Sequence, residues 1–466
     1  MGLARQFLVL FVACCSLWCY TLYCDLTKPL PVPQLNLDEY WGPGEAAKYR
    51  EDTQIRPFDV SYNASVLLTL RRKLNDLPKL TPPLEDAGPF EYGFNSDRLK
   101  EILHYWRTNY LERWRDRERY LNQFPHFKTQ IQGLDVHFIH VRPTEVHPST
   151  KVLPLLLLHG WPGSVREFYE LIPRLTKPLA DERNFVFEVI APSLPGYGWS
   201  QGSAKKGLGA KNIAVIMKNL MARVGHKRFY VHGGDWGALV TDLMGTFFQE
   251  DIIGMHQSGC GVAGTLATVK TIIASFAPSY FIEEQYIPFY YPFETYFHEM
   301  VLESGYMHLQ ATKPDTIGTV LVGNPVGLAA YILEKFSTWT NKEFRTLTDG
   351  GLEKFFTLDA LLDNVMIYYL TDSITTSQRL YAEVFSVDDL FSGELGRMTT
   401  VVPSACAKFR HDLLHTIDWA LRDHYRNLIQ SNHYEDGGHF SSMQLPEVMY
   451  KDLVQFVEKV EILRRA

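Results

Sequence analysis

Arg228-Phe229-Tyr230-Val231-His232-Gly233-Gly234-Asp235-Trp236-Gly237-Ala238 decides how the rest of this chain is read. A short apolar run breaks into glycines around a single carboxylate, which predicts a strand, a sharp turn and the start of a helix with Asp235 at the apex. Gly233 and Gly237 flank Asp235, and their missing side chains let strand and helix pack closely while the central side chain stands exposed. A carboxylate at a helix N-terminus is favoured in its charged form and can attack carbon without a base to activate it. The competing reading is a Gly-rich turn whose Asp caps the next helix.

Outward from this elbow, strand and helix signals alternate. Residues 136–141 have β-branched and aromatic character, and residues 152–158 are the continuous apolar run expected of a buried parallel strand. That run leads into His159-Gly160-Trp161-Pro162-Gly163-Ser164. A helix over 165–175, a strand over 185–191, a loop through Gly196 and Gly198, and a helix over 210–224 precede the elbow strand. This order predicts a doubly wound parallel sheet with functional loops at the carboxyl ends of its strands. After a candidate strand at 252–257 the alternation stops for roughly 140 residues. Residues 276–300 are dense in Tyr and Phe, 325–336 and 352–370 read as helical, and strand character resumes at 398–403 and 427–430. The interruption is read as an inserted helical cap, its aromatics as core more than as substrate contacts.

At 466 residues the chain is long enough for two or three structural units. Its net charge of -7, with both signs interspersed, gives no electrostatic reason to expect nucleic acid. Residues 7–23 carry no charge and are 17 in number, at the lower limit for a membrane-crossing helix. A cleavable signal peptide competes with a retained anchor, and the apolar run through Trp18, Tyr20 and Tyr23 favours the anchor. Residues 30–57, rich in Pro and Gly, read as a tether, and Asn63-Ala64-Ser65 is a glycosylation sequon. Leu67, Leu70 and Leu74, then Leu99, Ile102 and Trp106, recur at one-face helical spacing. The charged stretch 105–120 reads as a solvated face. Four of the six cysteines lie in the apolar N-terminus; Cys260 and Cys406 remain in the body, and no zinc spacing or disulfide framework is implied.

Taken together and in order, these motifs resemble the microsomal-type epoxide hydrolases, and among them the insect juvenile hormone epoxide hydrolases. The resemblance is carried by the N-terminal apolar stretch, the His159 to Pro162 loop, Gly233 to Gly237, Glu303-Ser304-Gly305-Tyr306-Met307-His308, Thr312-Lys313-Pro314-Asp315-Thr316 and Gly437-Gly438-His439-Phe440. It implies an α/β-hydrolase fold with an inserted helical cap, an N-terminal helical wrapping region and a membrane anchor. The expected divisions are 1–28 anchor, 29–130 wrapping region, 131–260 first part of the core, 261–396 cap and 397–466 second part of the core. An endoplasmic reticulum or microsomal membrane location is implied with them.

The resemblance also implies Asp235 as nucleophile, His439 as general base, and Tyr306 and Tyr381 as proton donors to the epoxide oxygen. The acid departs from the mammalian pattern, which has Glu where Phe409-Arg410-His411-Asp412-Leu413-Leu414-His415 supplies Asp412. Aspartate is shorter by roughly 1.5 Å, so either the backbone sits closer or Asp418 or Glu435 serves instead. The order nucleophile, acid, base agrees independently with that usual for an α/β-hydrolase.

Chemically, an alkoxide leaving group is a far stronger base than a phenoxide, so a phenol can protonate it. A neutral His439 oriented by Asp412 would then activate water against the Asp235 ester. The backbone N–H groups of Trp161 and Trp236 are the expected oxyanion donors. His411, His415 and His433 read as ordinary surface or core histidines. No cofactor or metal is expected, and the partners are an apolar epoxide and a membrane. Two other functions compete: a haloalkane dehalogenase, which would want halide-binding donors such as indole N–H groups, and a non-catalytic binder of a hydrophobic hormone.

Overall fold

Among the described residues of the computed structural model, which are 2–465 apart from 145, 178–183, 263 and 386–393, nine strands form a single sheet. In chain order these are β1 (Arg56–Phe58), β2 (His126–Ile131), β3 (Leu134–Val141), β4 (Lys151–Leu158), β5 (Phe185–Pro192), β6 (Phe229–Gly234), β7 (Ile252–Ser258), β8 (Ser404–Phe409) and β9 (Leu428–Tyr434). Their spatial order is β1-β2-β3-β5-β4-β6-β7-β8-β9. From β5 to β9 all pairings are parallel, and β1, β2 and β3 add an antiparallel edge. A two-residue turn at Gln132-Gly133, both with positive φ, closes the β2–β3 hairpin in the manner that matches strand twist. All eight residues of β5 are buried, as a strand covered on both faces requires. The chain leaves β4 towards β5 on one side and reaches β6 on the other, so the crevice between the carboxyl ends of β4 and β6 is a topological switch point.

Several elements depart from the sequence expectation. The helix expected over 165–175 is a 3-10 turn (Val165–Phe168) followed by a short helix (Ile172–Thr176), with Pro173 starting the second piece. The strand expected at 398–403 begins one residue after Pro403, which has no N–H to give a ladder; Thr400 makes an isolated bridge to Tyr425. The tether over 30–57 contributes β1, paired antiparallel to β2. The charged stretch 105–120 is for the most part the solvated face expected, with Glu112, Arg113, Arg115, Asp116 and Arg119 exposed, but Arg117 turns inward. Arg117 Nε donates to Asp363 Oδ1 at 3.0 Å, Arg166 Nε to Asp363 Oδ2 at 3.1 Å, and Tyr110 Oη to Asp363 Oδ1 at 2.9 Å. Asp363 is fully buried, so this cluster pins the N-terminal region to the helix Leu358–Thr371. Cys260 and Cys406 form a disulfide. Their sequence separation of 146 hid the pair, and the parallel pairing of β7 with β8 brings them together.

Between β7 and β8 every described element is helical, including Thr265–Phe276, Phe293–Glu303, Gly305–Thr312, Pro325–Thr338, Leu358–Thr371 and Ile374–Val384. Residues 386–393, which fall inside the expected cap, lie outside the described residues. At the N-terminus the helix Gly2–Thr27 contains the span Gln6–Asp25, whose 20 residues and mean hydropathy of 2.0 are long and apolar enough to cross a membrane. None of that span is buried against the rest of the chain.

Candidate active site

The elbow forms where β6 ends and the helix Trp236–Phe247 begins. Asp235 sits between them at φ 53° and ψ -124°, a region L-residues rarely occupy, at a cost of about 1–3 kcal/mol that the surrounding packing must hold. That packing leaves no room for side chains: a Cβ at Gly237 would stand 2.0 Å from the Leu158 carbonyl oxygen. The strained turn therefore depends on the close approach of the elbow helix to the end of β4.

The loop after β4 meets the carboxylate from one side. Trp161 N–H donates to Asp235 Oδ1 at 2.7 Å. Gly160 permits the approach, since a Cβ there would lie 2.3 Å from both Cβ and Oδ1 of Asp235. His159 holds the loop in shape: its Nδ1 bonds to the Gly160 carbonyl at 2.9 Å and its Nε2 accepts from Leu194 N–H at 3.1 Å. Burial lowers this imidazole to about 4, which keeps it neutral. The cap fixes the other end, with Asn364 Nδ2 on the Pro162 carbonyl and Tyr368 Oη on the Gly163 carbonyl, each at 2.7 Å. Trp236 N–H, the second expected donor, starts the helix beside Asp235. No hydrogen bond among the described residues joins it to the carboxylate.

His439 stands between two carboxylates. Its Nε2 lies 3.4 Å from Asp235 Oδ2 and its Nδ1 2.9 Å from Asp412 Oδ1. Gly437 and Gly438 deliver it, and the His439 N–H is fixed on the Trp339 carbonyl at 2.9 Å. The shorter reach of aspartate is met by a tight turn directly after β8, in which Asp412 N–H donates to the Phe409 carbonyl at 3.0 Å. Gly259 (φ 69°) opposes it, and a Cβ there would come within 2.9 Å of Asp412 Oδ2. The other two acids lie elsewhere: Asp418 pairs with Lys408 at 2.7 Å and Glu435 with Arg410 at 2.8 Å.

Burial lowers the proton affinity of His439, but hydrogen bonds and charge from Asp235 and Asp412 outweigh it and raise the imidazole to about 10. That raised affinity belongs to the resting site, where Asp235 is ionised; the neutral His439 expected above is the base of the ester stage. Asp412, though buried, is held below the usual carboxylate range by His439. His415, buried near Asp412, is lowered by burial to about 4.

Tyr306 and Tyr381 come from the cap helices Gly305–Thr312 and Ile374–Val384 and converge over the loop after β4. The Tyr306 ring stacks on Trp161 at 5.1 Å, while Tyr381 meets Trp161 edge-on at 5.9 Å and Trp236 at 4.6 Å. The Tyr381 hydroxyl is buried beside that of Tyr306. Burial pushes both phenols well above their usual range, so both carry their proton at neutral pH. The indole N–H groups of Trp161 and Trp236 are buried and unpartnered among the described residues.

Sequence reading passed over Glu167. Its place in Ser164-Val165-Arg166-Glu167 has the spacing of a helix-capping box, which accounts for a Glu without any chemistry. In the structure it lines a small cavity together with Asp235 and His439.

Comparison with known proteins agrees with this geometry. Residues 55–168 match the family model described as epoxide hydrolase N terminus, and residues 154–244 match that of the alpha/beta hydrolase fold. Juvenile hormone epoxide hydrolase 2 of Ctenocephalides felis is 49% identical over 438 residues, 94% of this chain and 92% of that protein. Epoxide hydrolase 1 of Oryctolagus cuniculus is 44% identical over 94% of this chain and 95% of its own length. The crystal structure of juvenile hormone epoxide hydrolase from the silkworm Bombyx mori superposes with a TM-score of 0.89 at 45% identity, covering 92% of this chain and all of that one. On fold, elbow and overall likeness, the chain belongs to the microsomal-type epoxide hydrolases, built on the α/β-hydrolase fold.

Proposed function

We propose that the protein hydrolyses an apolar epoxide to a vicinal diol through an ester on Asp235. The observation that carries this reading is His439 placed between Asp235 and Asp412, at 3.4 and 2.9 Å. Asp235 Oδ1 is engaged by the Trp161 N–H, which leaves Oδ2 to attack an epoxide carbon. The ring oxygen takes its proton from Tyr381 or Tyr306, which lie above Trp161 in the cap. Esterification removes the negative charge of Asp235, so His439 loses one of the two partners that raise its proton affinity, releases its Nε2 proton to solvent and becomes able to act as a base.

Water then gives a proton to His439 Nε2 and its oxygen bonds to Cγ of Asp235. Negative charge collects on Oδ1, where the Trp161 N–H already points and the Trp236 N–H is the second donor. Collapse breaks the Cγ–Oδ2 bond, and the diol leaves with Oδ2 and the proton that His439 took from water. Asp412 keeps the imidazole oriented. No step calls for a cofactor or metal.

The substrate we propose is a juvenile hormone, on the likeness to relatives bearing that name and on the rings of Trp161, Trp236, Tyr306 and Tyr381 gathered beside Asp235. The N-terminal helix would hold the enzyme on the endoplasmic reticulum, where such a substrate partitions. The ratio of kcat/KM for a juvenile hormone to that for styrene oxide tests the substrate reading, and a ratio below one counts against it. The unpartnered indoles of Trp161 and Trp236 supply donors that a haloalkane dehalogenase would also need, so the same assay should include a 1-haloalkane. Halide release faster than epoxide hydrolysis would favour that second reading.

A further inference from the structure

Glu167 is a carboxylate beside Asp235 that the mechanism above does not use. It lies in the turn Val165–Phe168, with its backbone N–H on the Ser164 carbonyl at 3.0 Å. Among the described residues no group donates a hydrogen bond to its side chain, which reaches instead into the cavity shared with Asp235, His439 and Ser441. That cavity offers about 10 Å3 to the centres of water molecules, roughly what a single water needs. A held water also needs two or more polar partners. The Ser441 hydroxyl, 1% exposed, has no partner among the described residues. Gly163 keeps the place open, because a Cβ there would fall 1.4 Å from Glu167 Oε1.

We propose that this cavity holds the hydrolytic water and that Glu167 positions it, accepting one of its hydrogens while His439 Nε2 takes the other. The inference rests on the Asp235 ester proposed above. In the attack, the hydrogen facing His439 leaves as the proton, the water oxygen bonds to Cγ and the Cγ–Oδ2 bond breaks. The hydrogen facing Glu167 stays on the new oxygen until the tetrahedral species collapses. It is then shed so that Asp235 returns as a carboxylate and the tyrosine that protonated the epoxide is reprotonated. Glu167 makes no bond to a heavy atom, and its carbonyl oxygen can accept whether or not the acid is ionised. Burial together with the charge of Asp235 outweighs the opposing charge of His439 and pushes the carboxyl up to about 8, the mark of a group held away from bulk water.

Single-turnover mixing of enzyme in excess over epoxide, read by intact-protein mass, separates formation of the ester from its hydrolysis. Glu167→Met is expected to form the ester within about twofold of the wild-type rate and to hydrolyse it at least roughly tenfold more slowly, so that kcat and KM fall together. Glu167→Gln, which keeps a carbonyl acceptor, is expected to lose less than Glu167→Met. Gly163→Ala leaves the Glu in the chain but expels its carboxylate from the cavity, and should reproduce the selective loss. Ester hydrolysis at the wild-type rate in Glu167→Met overturns the proposal; if that variant does not fold, the same result in Gly163→Ala does so. Absence of any ester in the wild type would instead overturn the Asp235 reading.

Discussion

The charge on His439 links residue-scale structure to pH. Its raised proton affinity, to about 10 against an ordinary 6.5, means the folded site binds a proton that the unfolded chain releases at neutral pH. The stability this contributes is full below about pH 6.5 and is lost as pH rises through about 10. Thermal unfolding followed from pH 6 to 10 should therefore show a steeper fall for the wild type than for His439→Gln; parallel curves would contradict the ion-paired resting state. In turnover, His439→Gln and Asp412→Ala should both form the ester. Each should hydrolyse it about 10²- to 10⁴-fold more slowly, the range over which a positioned base contributes. Normal hydrolysis in Asp412→Ala would pass the acid role to Asp418 or Glu435, against their pairing with Lys408 and Arg410. Tyr381→Phe should slow ester formation instead, by about tenfold or more.

At the scale of elements, close approach between strand ends and loops sets the geometry. Gly259 at the end of β7 makes room for Asp412 after β8, and Gly259→Ala adds both a Cβ at 2.9 Å and strain at φ 69°. It should depress ester hydrolysis more than ester formation, as rapid-quench kinetics would read. The buried Asp363 cluster offers a test of stability. Asp363→Ala leaves Arg117 and Arg166 without their shared carboxylate, and should cost about 3–5 kcal/mol in denaturant unfolding.

This scale also explains what the sequence could and could not convey. Asp235 was legible because glycines flank it in a fixed pattern that the backbone needs, and His439 because Gly437-Gly438-His439-Phe440 is among the motifs that carry the resemblance. Asp412 was legible only to within a few residues, since spacing along a turn does not tell which carboxylate faces the imidazole. Glu167 was hidden by a spacing that local helix capping explains equally well. The Cys260–Cys406 pair was hidden by the long helical excursion between two strands that lie side by side. The Arg-rich stretch 105–120 read as solvated and most of its charges are, but nothing local in the sequence reveals that Asp363, some 250 positions on, receives Tyr110 and Arg117.

For the whole molecule, alternation of strands and helices on either side of the elbow made the layered sheet legible, and its interruption made the helical insertion legible. The exposed helix Gly2–Thr27 adds nothing to the core, so if it is the anchor proposed above, removing residues 1–28 should release the protein from membranes and leave kcat on a water-soluble epoxide within about twofold. Fractionation with activity assays checks both points, and mass analysis of the full-length protein checks that these residues are retained. The covalent ester on Asp235 remains the claim on which the account turns. A single turnover in oxygen-18 water measures it directly: the label should enter the Asp235 carboxylate and be absent from the first diol released. Label in that first diol, with none in Asp235, would contradict it.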